Sequence, residues 1–160
     1  MRIYLIGMPG CGKSTLGKRL AKKINYEFID MDSYIEKSAC MFIDEIFDSY
    51  GEEYFRALEK NTLDDFLKLD NVIIATGGGV IKDLSNKDKM NGLCIYLKVP
   101  NDILTDRTNK SKTIRPLLQT KTIDELFEER KDKYDYFKDI EVDNVNIDDA
   151  LSKIMEEIKC

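Results

Sequence analysis

Short apolar runs alternate with longer segments of helical periodicity along the 160 residues of the chain. In one such segment, Leu16, Leu20 and Ile24 recur every fourth residue, as the apolar positions on one face of a helix do. Comparable patterns predict helices at 13–24, 32–69 with a break at 50–51, 102–107, 122–137 and 147–158. The short apolar runs predict strands at 2–6, 26–29, 72–75, 93–97 and 140–142. At the start of helix 122–137, Thr122 and Glu125 have the spacing of a capping box.

The order of these elements predicts a parallel sheet. A strand, a loop, a helix and a second strand follow one another within the first thirty residues, which is the order of a βαβ unit. Continued alternation predicts an α/β fold in which helices cover both faces of the sheet. Gly7, Asp30 and Gly77 each follow a predicted strand, at the edge where such sheets bind ligands. The sequence therefore predicts a single active site at this edge.

Composition narrows the class of protein. With 42% hydrophobic and 34% charged residues, the chain has the composition of one globular domain, here residues 1–160. A net charge of −5 gives no indication of a nucleic-acid partner, and no apolar run is long enough to predict a membrane span. The N-terminal segment lacks a signal-peptide pattern, so the cytoplasm is the expected location.

Two features of the composition exclude or disfavour whole classes of chemistry. Histidine is absent, and the four cysteines form no CxxC pair. The first fact excludes Ser-His-Asp and Cys-His catalysis, and the second argues against a Cys/His zinc site. Proton transfer must therefore use carboxylates, lysine, tyrosine, cysteine or water.

The segment from Gly7 to Ser14 reads GMPGCGKS and matches the phosphate-binding pattern GxxxxGK[ST]. Its glycines let backbone N–H groups turn towards a phosphate, and the following helix directs its positive end to the same point. Lys13 is predicted to bind the β- and γ-phosphates, and the Ser14 hydroxyl to bind Mg²⁺. Cys11 is either a reactive thiol or a small residue that fills a tight turn, and the second interpretation is preferred.

Two carboxylates, Asp30 and Asp32, stand one residue apart after the second predicted strand. One could bind Mg²⁺ through water, while the other could orient an acceptor hydroxyl and accept its proton. The alternative is a solvated turn, or an N-cap for a helix that begins near Ser33.

Two arginines lie on predicted helices. Arg130 falls on the apolar stripe of helix 122–137, where a guanidinium is costly unless a ligand anion or a structural salt bridge meets it. Arg56 has Glu59 three residues on, so an exposed, paired helix charge is the alternative to ligand binding. The glycine triplet 77–79 permits a close ligand approach, although a tight turn without a ligand would have the same sequence.

The polar segment 109–122 has little periodicity and is predicted to be a mobile loop. Arg115, within it, could close over a γ-phosphate as an arginine finger, and Arg107 could stack on adenine. A solvated surface arginine is the alternative for each.

Six segments, in order along nearly the whole chain, carry a more specific pattern: GMPGCGKST at 7–15, FIDMD at 28–32, GEEYFRALE at 51–59, TGGGV at 76–80, RPLL at 115–118 and ERKDKY at 129–134. Together they resemble the shikimate kinase family, within the nucleoside monophosphate kinase-like branch of P-loop proteins. The resemblance implies a three-layer α/β/α fold with a five-stranded parallel sheet, a substrate-binding helical segment near 31–60 and a lid near 109–121. It also implies transfer of the ATP γ-phosphoryl group to the 3-hydroxyl of shikimate, on the route to chorismate and aromatic amino acids. A monomer is expected.

The resemblance also assigns roles to residues of this chain. Lys13, Asp32 and Arg115 would be catalytic. Shikimate would be bound by Asp32, Arg56, Gly77, Gly78, Gly79 and Arg130, with the two arginines on its carboxylate and Asp32 on its ring hydroxyls. ATP would contact Gly10, Cys11, Gly12, Lys13, Ser14, Thr15, Arg107 and Arg115, and Mg²⁺ would bind Ser14, with Asp30 behind a water.

The segment 143–146 departs from the family pattern because it offers no arginine at the adenine edge. Two alternatives to shikimate phosphorylation stay open. One is a related P-loop kinase that acts on gluconate or a nucleotide. The other is a nucleotide-dependent binding module that turns over no small acceptor.

Overall fold

The computed structural model describes residues 1–110 and 121–159, and its strands form one five-stranded sheet. Residues 3–6, four in succession, are at most 1% exposed, which requires cover on both faces of the sheet. The predicted α/β fold with a five-stranded parallel sheet is confirmed. Its strands are β1 Arg2–Ile6, β2 Glu27–Asp30, β3 Val72–Ala75, β4 Leu93–Lys98 and β5 Ile140–Asp143.

The order of the strands places the ligand edge of the sheet. The strands pair as β2-β3-β1-β4-β5, and every neighbouring pair is parallel. The connection from β1 leads to one edge at β2, whereas the connection from β3 leads to the other side at β4. In open α/β sheets, such a reversal leaves a crevice beyond the carboxyl ends of the central strands.

Helices connect the strands and cover the sheet. None of those in the described ranges is long and apolar enough to cross a membrane. They are α1 Lys13–Ile24, α2 Met31–Ala39, α3 Ile43–Tyr50, α4 Glu52–Phe66, α5 Asn86–Lys89, α6 Asn101–Lys110, α7 Ile123–Phe137 and α8 Ile147–Lys159, with a 3₁₀ turn at Val80–Lys82.

The segment 32–69 breaks twice rather than once. The predicted break at 50–51 is confirmed, since Gly51 has φ 84°. A second break follows α2, where Cys40 adopts the left-handed conformation at φ 54° and ends the helix. The Glu36 carboxylate then accepts the N–H of Ile43 at 3.0 Å, so a side chain of α2 caps the start of α3.

The start of α7 has the predicted cap. The Thr122 hydroxyl accepts the N–H of Glu125 at 3.2 Å, as in the first half of a capping box. The same hydroxyl also lies 3.2 Å from the Glu125 carboxylate, to which it donates. Of the predicted loop and lid, residues 109 and 110 belong to α6, and 111–120 lie outside the described residues.

Gly17 sets how closely α1 approaches the sheet. A Cβ atom at this position would lie 2.6 Å from the Phe28 ring and 3.1 Å from Leu5. We expect Gly17→Ala to destabilise the protein by about 1–3 kcal/mol through overpacking, although alanine favours a helix by about 1 kcal/mol over glycine. Urea unfolding measures this difference. Lys22→Ala, at an exposed position of the same helix, is the control, and a Gly17→Ala variant as stable as that control would contradict the packing argument.

Candidate active site

The loop between β1 and α1 borders an open cavity of about 480 Å³. Gly10 and Gly12 have φ values of 83° and 94°, which a side-chain-bearing residue rarely adopts, and α1 begins immediately afterwards. Backbone N–H groups at the start of a helix are suited to an anion such as phosphate. The cavity is lined by Gly10, Gly12, Lys13, Ser14, Thr15, Arg107, Asn144, Val145 and Ile147.

Lys13 lies over the loop that contains it. Its Nζ donates to the carbonyl of Gly7 at 2.8 Å and lies 3.7 Å from Cys11 Sγ. Cys11 is 1% exposed, which agrees with the preferred interpretation of a small residue that fills the turn. The ammonium group is thus positioned at the predicted phosphate site, where the described residues offer it only backbone and thiol partners.

Asp30 contacts both the start of α2 and the phosphate loop. One carboxylate oxygen accepts the N–H of Ser33 at 3.2 Å and caps α2, as the structural alternative predicted. The other accepts the hydroxyl of Ser14 at 2.8 Å. A hydroxyl and a carboxylate therefore stand side by side at the phosphate loop. Mg²⁺ usually takes only one or two such protein ligands and completes its shell with phosphates and waters.

Asp32 lies at the end of the sheet next to the glycine triplet. A Cβ atom at Gly77 would lie 2.7 Å from its Oδ1, so only glycine leaves this space free. Burial, reinforced by the neighbouring charge of Asp30, raises the pKa of Asp32 from 3.8 to about 6, and Lys13 opposes the shift. At neutral pH the group is ionised but is a stronger proton acceptor than an ordinary aspartate.

Arg56 is held by carboxylates of its own helix. It donates to Glu59 at 2.5 Å and to Glu52 at 3.3 Å, so the predicted i,i+3 partner is confirmed. The guanidinium is nevertheless half-buried and lies against Gly79. Glu59 is 1% exposed, and burial raises the pKa of its carboxyl.

Sequence reasoning missed Glu59 as a member of the site. A Cβ atom at Gly77 would lie 3.1 Å from its Oε2, so the carboxylate faces the same glycine as Asp32. The signal was available, because Glu59 shares a buried face of α4 with Phe55 and Phe66. Arg130 and Glu59 share this signal, since each is a charged residue on the apolar stripe of its helix.

Arg130 is the largest side chain that is almost fully buried, with 2% exposure. All three of its guanidinium nitrogens lack a partner with hydrogen-bond geometry, and no salt bridge to it occurs among the described residues. The nearby Tyr134 hydroxyl is a neutral neighbour, because burial raises its pKa although Arg130 opposes the shift. The nitrogen Nη1 would lie 3.2 Å from a Cβ atom at Gly78. The structural salt bridge that was the alternative interpretation is therefore not found in the described part of the chain.

Two of the remaining predicted residues, Arg107 and Thr15, lie at the phosphate loop. Arg107 lines the cavity and donates to backbone carbonyls of Gly10, Asn144 and Val145. Thr15 lines the same cavity at the start of α1. Arg115 lies outside the described residues, and its role stays a prediction. Within the described ranges, no group of three or more carboxylates or cysteines forms a metal cluster.

The glycine triplet is where the acceptor side of the site converges. Asp32 and Glu59 face Gly77, Arg130 faces Gly78, and Arg56 faces Gly79. The phosphate loop joins them through Asp30, which contacts Ser14 and lies two residues before Asp32. A loop with the phosphate-binding pattern, beside a pocket with a buried guanidinium on a parallel α/β sheet, is the arrangement expected of a P-loop kinase.

Comparisons with known proteins narrow this class. The shikimate kinase family model matches residues 9–159. A shikimate kinase from Clostridium botulinum (strain Alaska E43 / Type E3) is 42% identical over 162 aligned residues, which cover 99% of this chain and 94% of that protein. The chain belongs to the shikimate kinase family.

Solved structures agree with this assignment. The shikimate kinase of Bacteroides thetaiotaomicron has a TM-score of 0.90 at 34% identity, with 100% of this chain and 99% of that chain covered. The shikimate kinase of Acinetobacter baumannii, solved in complex with shikimate, also has a TM-score of 0.90, at 32% identity and with 98% and 92% covered.

Because its pKa is raised, ionised Asp32 should lower the stability of the fold. The shift from 3.8 to about 6 corresponds to at most about 3 kcal/mol once the group is ionised in both states. We expect Asp32→Asn to raise the free energy of unfolding at pH 8 by about 1–3 kcal/mol, as measured by urea unfolding. The gain should shrink as the pH falls through about 6 towards 3.8, because wild-type Asp32 is then protonated in the folded state.

Asp48→Asn, at an exposed position of α3, is the control for this measurement. A gain that is independent of pH, or a loss at pH 8, would contradict the electrostatic argument.

Proposed function

We propose that the protein transfers the γ-phosphoryl group of ATP to the 3-hydroxyl of shikimate. The observation that carries the proposal is Arg130: a buried guanidinium to which no described residue supplies an anion, next to a glycine loop and beside a phosphate-binding loop. An acceptor with a carboxylate would complete this pocket, because a buried charge is costly until a counter-charge meets it. Shikimate carries one carboxylate and ring hydroxyls.

On the nucleotide side, the loop from Gly7 to Ser14 surrounds the phosphates with N–H groups. Lys13 moves from the carbonyl of Gly7 to the β- and γ-phosphates, a short rotation that exchanges a neutral acceptor for a charged one. Arg107 lines the same cavity and is expected to contact the base. Arg115, by family resemblance, approaches the γ-phosphoryl group.

On the acceptor side, Arg130 and Arg56 bind the carboxylate, with Gly78 and Gly79 leaving room for it. Asp32 binds the hydroxyl that is to be phosphorylated. Its raised pKa suits a group that orients this hydroxyl and accepts its proton as the oxygen attacks phosphorus. Phosphoryl transfer through a loose transition state needs mainly alignment and charge neutralisation, which these residues supply.

The adjacent Ser14 hydroxyl and Asp30 carboxylate fit the predicted Mg²⁺ site. Ser14 would bind the ion directly, and Asp30 would do so through water. When bound, Mg²⁺ neutralises charge on the β- and γ-phosphates.

The test is ADP release in the presence of MgATP, with shikimate, gluconate, a nucleoside monophosphate or no acceptor. We expect turnover well above background with shikimate alone. Comparable or faster turnover with another acceptor would keep the P-loop kinase and reject shikimate as the substrate. Tight nucleotide binding without turnover on any of these acceptors would favour the binding module.

Arg130→Met removes the charge while roughly keeping the volume of the side chain. Charge-assisted hydrogen bonds are worth about 1.5–3 kcal/mol, so we expect the KM for shikimate to rise roughly ten- to hundredfold. The Kd for ADP should stay the same, because Arg130 is predicted to contact only the acceptor. Steady-state kinetics and calorimetric titration measure the two quantities.

Lys131→Met, at the exposed neighbouring position, is the matched control. An unchanged KM for shikimate in Arg130→Met would remove Arg130 from the carboxylate site. A thermal melt separates a raised KM from misfolding, and the variant should be at least as stable as the wild type because it loses a buried charge that no described residue pairs.

A further inference from the structure

Five carbonyl groups of the phosphate loop have hydrogen-bond donors among the described residues. When N–H groups turn inward to a phosphate, carbonyls turn outward, and a buried carbonyl without a partner is costly. Three carbonyls find donors close by in sequence. Lys13 Nζ donates to Gly7 at 2.8 Å, the N–H of Cys11 to Met8 at 3.1 Å, and the N–H of Leu16 to Gly12 at 2.9 Å.

Two further carbonyls are bonded by residues far along the chain. The Arg107 guanidinium, 97 positions away, donates to Gly10 at 3.2 Å. The side-chain amide of Asn144, 133 positions away, donates to Cys11 at 2.7 Å in a buried hydrogen bond. The shape of the loop therefore depends on residues that the GxxxxGK[ST] pattern does not contain.

Asn144 is buried and held through its backbone and its amide nitrogen, whereas its Oδ1 has no hydrogen-bond partner among the described residues. Its side chain is 3% exposed, and its backbone N–H donates to the Lys98 carbonyl at 2.9 Å, directly after the pairing of β4 with β5. Arg107 donates to its carbonyl at 3.0 Å. A Cβ atom at Gly12 would lie 2.5 Å from Asn144 Nδ2, so glycine at this position also makes room for the amide.

We propose that Asn144 is a positioning residue for the phosphates of the nucleotide. It acts through the Cys11 carbonyl, by holding this peptide group so that the neighbouring N–H groups face the phosphates. The inference rests on the proposed function only to the extent that the loop binds ATP. It extends the phosphate site to the segment between β5 and α8.

Asn144 isolates this effect better than the other two side chains that bond the loop. Lys13 is proposed to leave the Gly7 carbonyl for the phosphates, so its bond to the loop is exchanged on binding. Arg107 is half-exposed and is predicted to contact the base directly. Among residues 1–110 and 121–159, the Asn144 amide donates only to Cys11, and this contact need not break when a nucleotide enters.

The experiment measures the Kd of two probes, ADP and inorganic tripolyphosphate, by calorimetric titration of the full chain with Mg²⁺ present. Loss of a hydrogen bond to a buried carbonyl should weaken both probes by about tenfold in Asn144→Ala. Asn144→Asp keeps the shape but cannot donate, and its negative charge should weaken both probes at least as much. The Kd for shikimate should not change in either variant.

Asn146→Ala is the matched control. Asn146 lies two positions further along the same segment and caps α8 by accepting the N–H groups of Asp148 and Asp149. It does not line the cavity, so its replacement should leave both Kd values unchanged even if the helix is less stable.

Three results would overturn the inference. An unchanged Kd for ADP in Asn144→Ala is the first. A loss for ADP without a loss for tripolyphosphate is the second, because it would mean that Asn144 contacts the base or the ribose. Equal losses in Asn146→Ala are the third. Failure of the wild type to bind ADP would be a different outcome, since it would contradict the proposed function itself.

Discussion

A guanidinium group that is almost inaccessible to water, with no anion beside it in the described part of the chain, sets the conditions for the rest of the site. Burial of an unpaired charge costs several kcal/mol, and a fold can tolerate this only if its other interactions are secure. The sheet supplies the stability that offsets this cost, since its central strand is buried on both faces. Arg130 lies on α7 and faces Gly78, where no side chain occupies the space beside it. The proposed substrate meets the unpaired charge with its own carboxylate.

The two arginines of the acceptor pocket have opposite surroundings. Arg56 is already compensated by Glu59 and Glu52, whereas Arg130 has neither a carboxylate nor a carbonyl as a partner among the described residues. We therefore attribute most of the attraction for an anion to Arg130, and to Arg56 a role in orientation and shape. At Asp32, the burial that raises the pKa also makes the carboxylate a better acceptor for the proton of a hydroxyl.

The elements that depend on residues close together in the sequence were predicted correctly. The strands follow from short apolar runs, the phosphate loop from its glycines, and the start of α7 from Thr122 and Glu125. The second break in the helical region was not predicted, because Cys40 is not a residue that usually ends a helix in the left-handed conformation. The helix boundary there depends instead on Glu36, which reaches across from α2 to cap α3.

Contacts between distant segments were harder to predict than the elements themselves. Arg130 was recognised as an inward-facing charge because a period of 3.6 residues reveals it. Glu59 has the same signature, but its spacing from Arg56 also predicts a simple ion pair on one helix. Asn144 belongs to no periodic pattern. Its bond to the Cys11 carbonyl depends on the pairing of β5 with β4, which the sequence near Asn144 does not reveal. The role of Arg115, the monomeric state and the cytoplasmic location stay predictions from the sequence.

The most direct test of the central claim compares the binding of shikimate with that of its neutral carboxamide analogue, which has the same ring and hydroxyls. If the buried charge of Arg130 is met by the substrate carboxylate, the carboxamide should bind at least about tenfold more weakly in calorimetric titration, with a smaller difference in Arg130→Met. Equal affinity of the wild type for the two compounds would contradict the account, because the carboxylate would then have no special partner in the site.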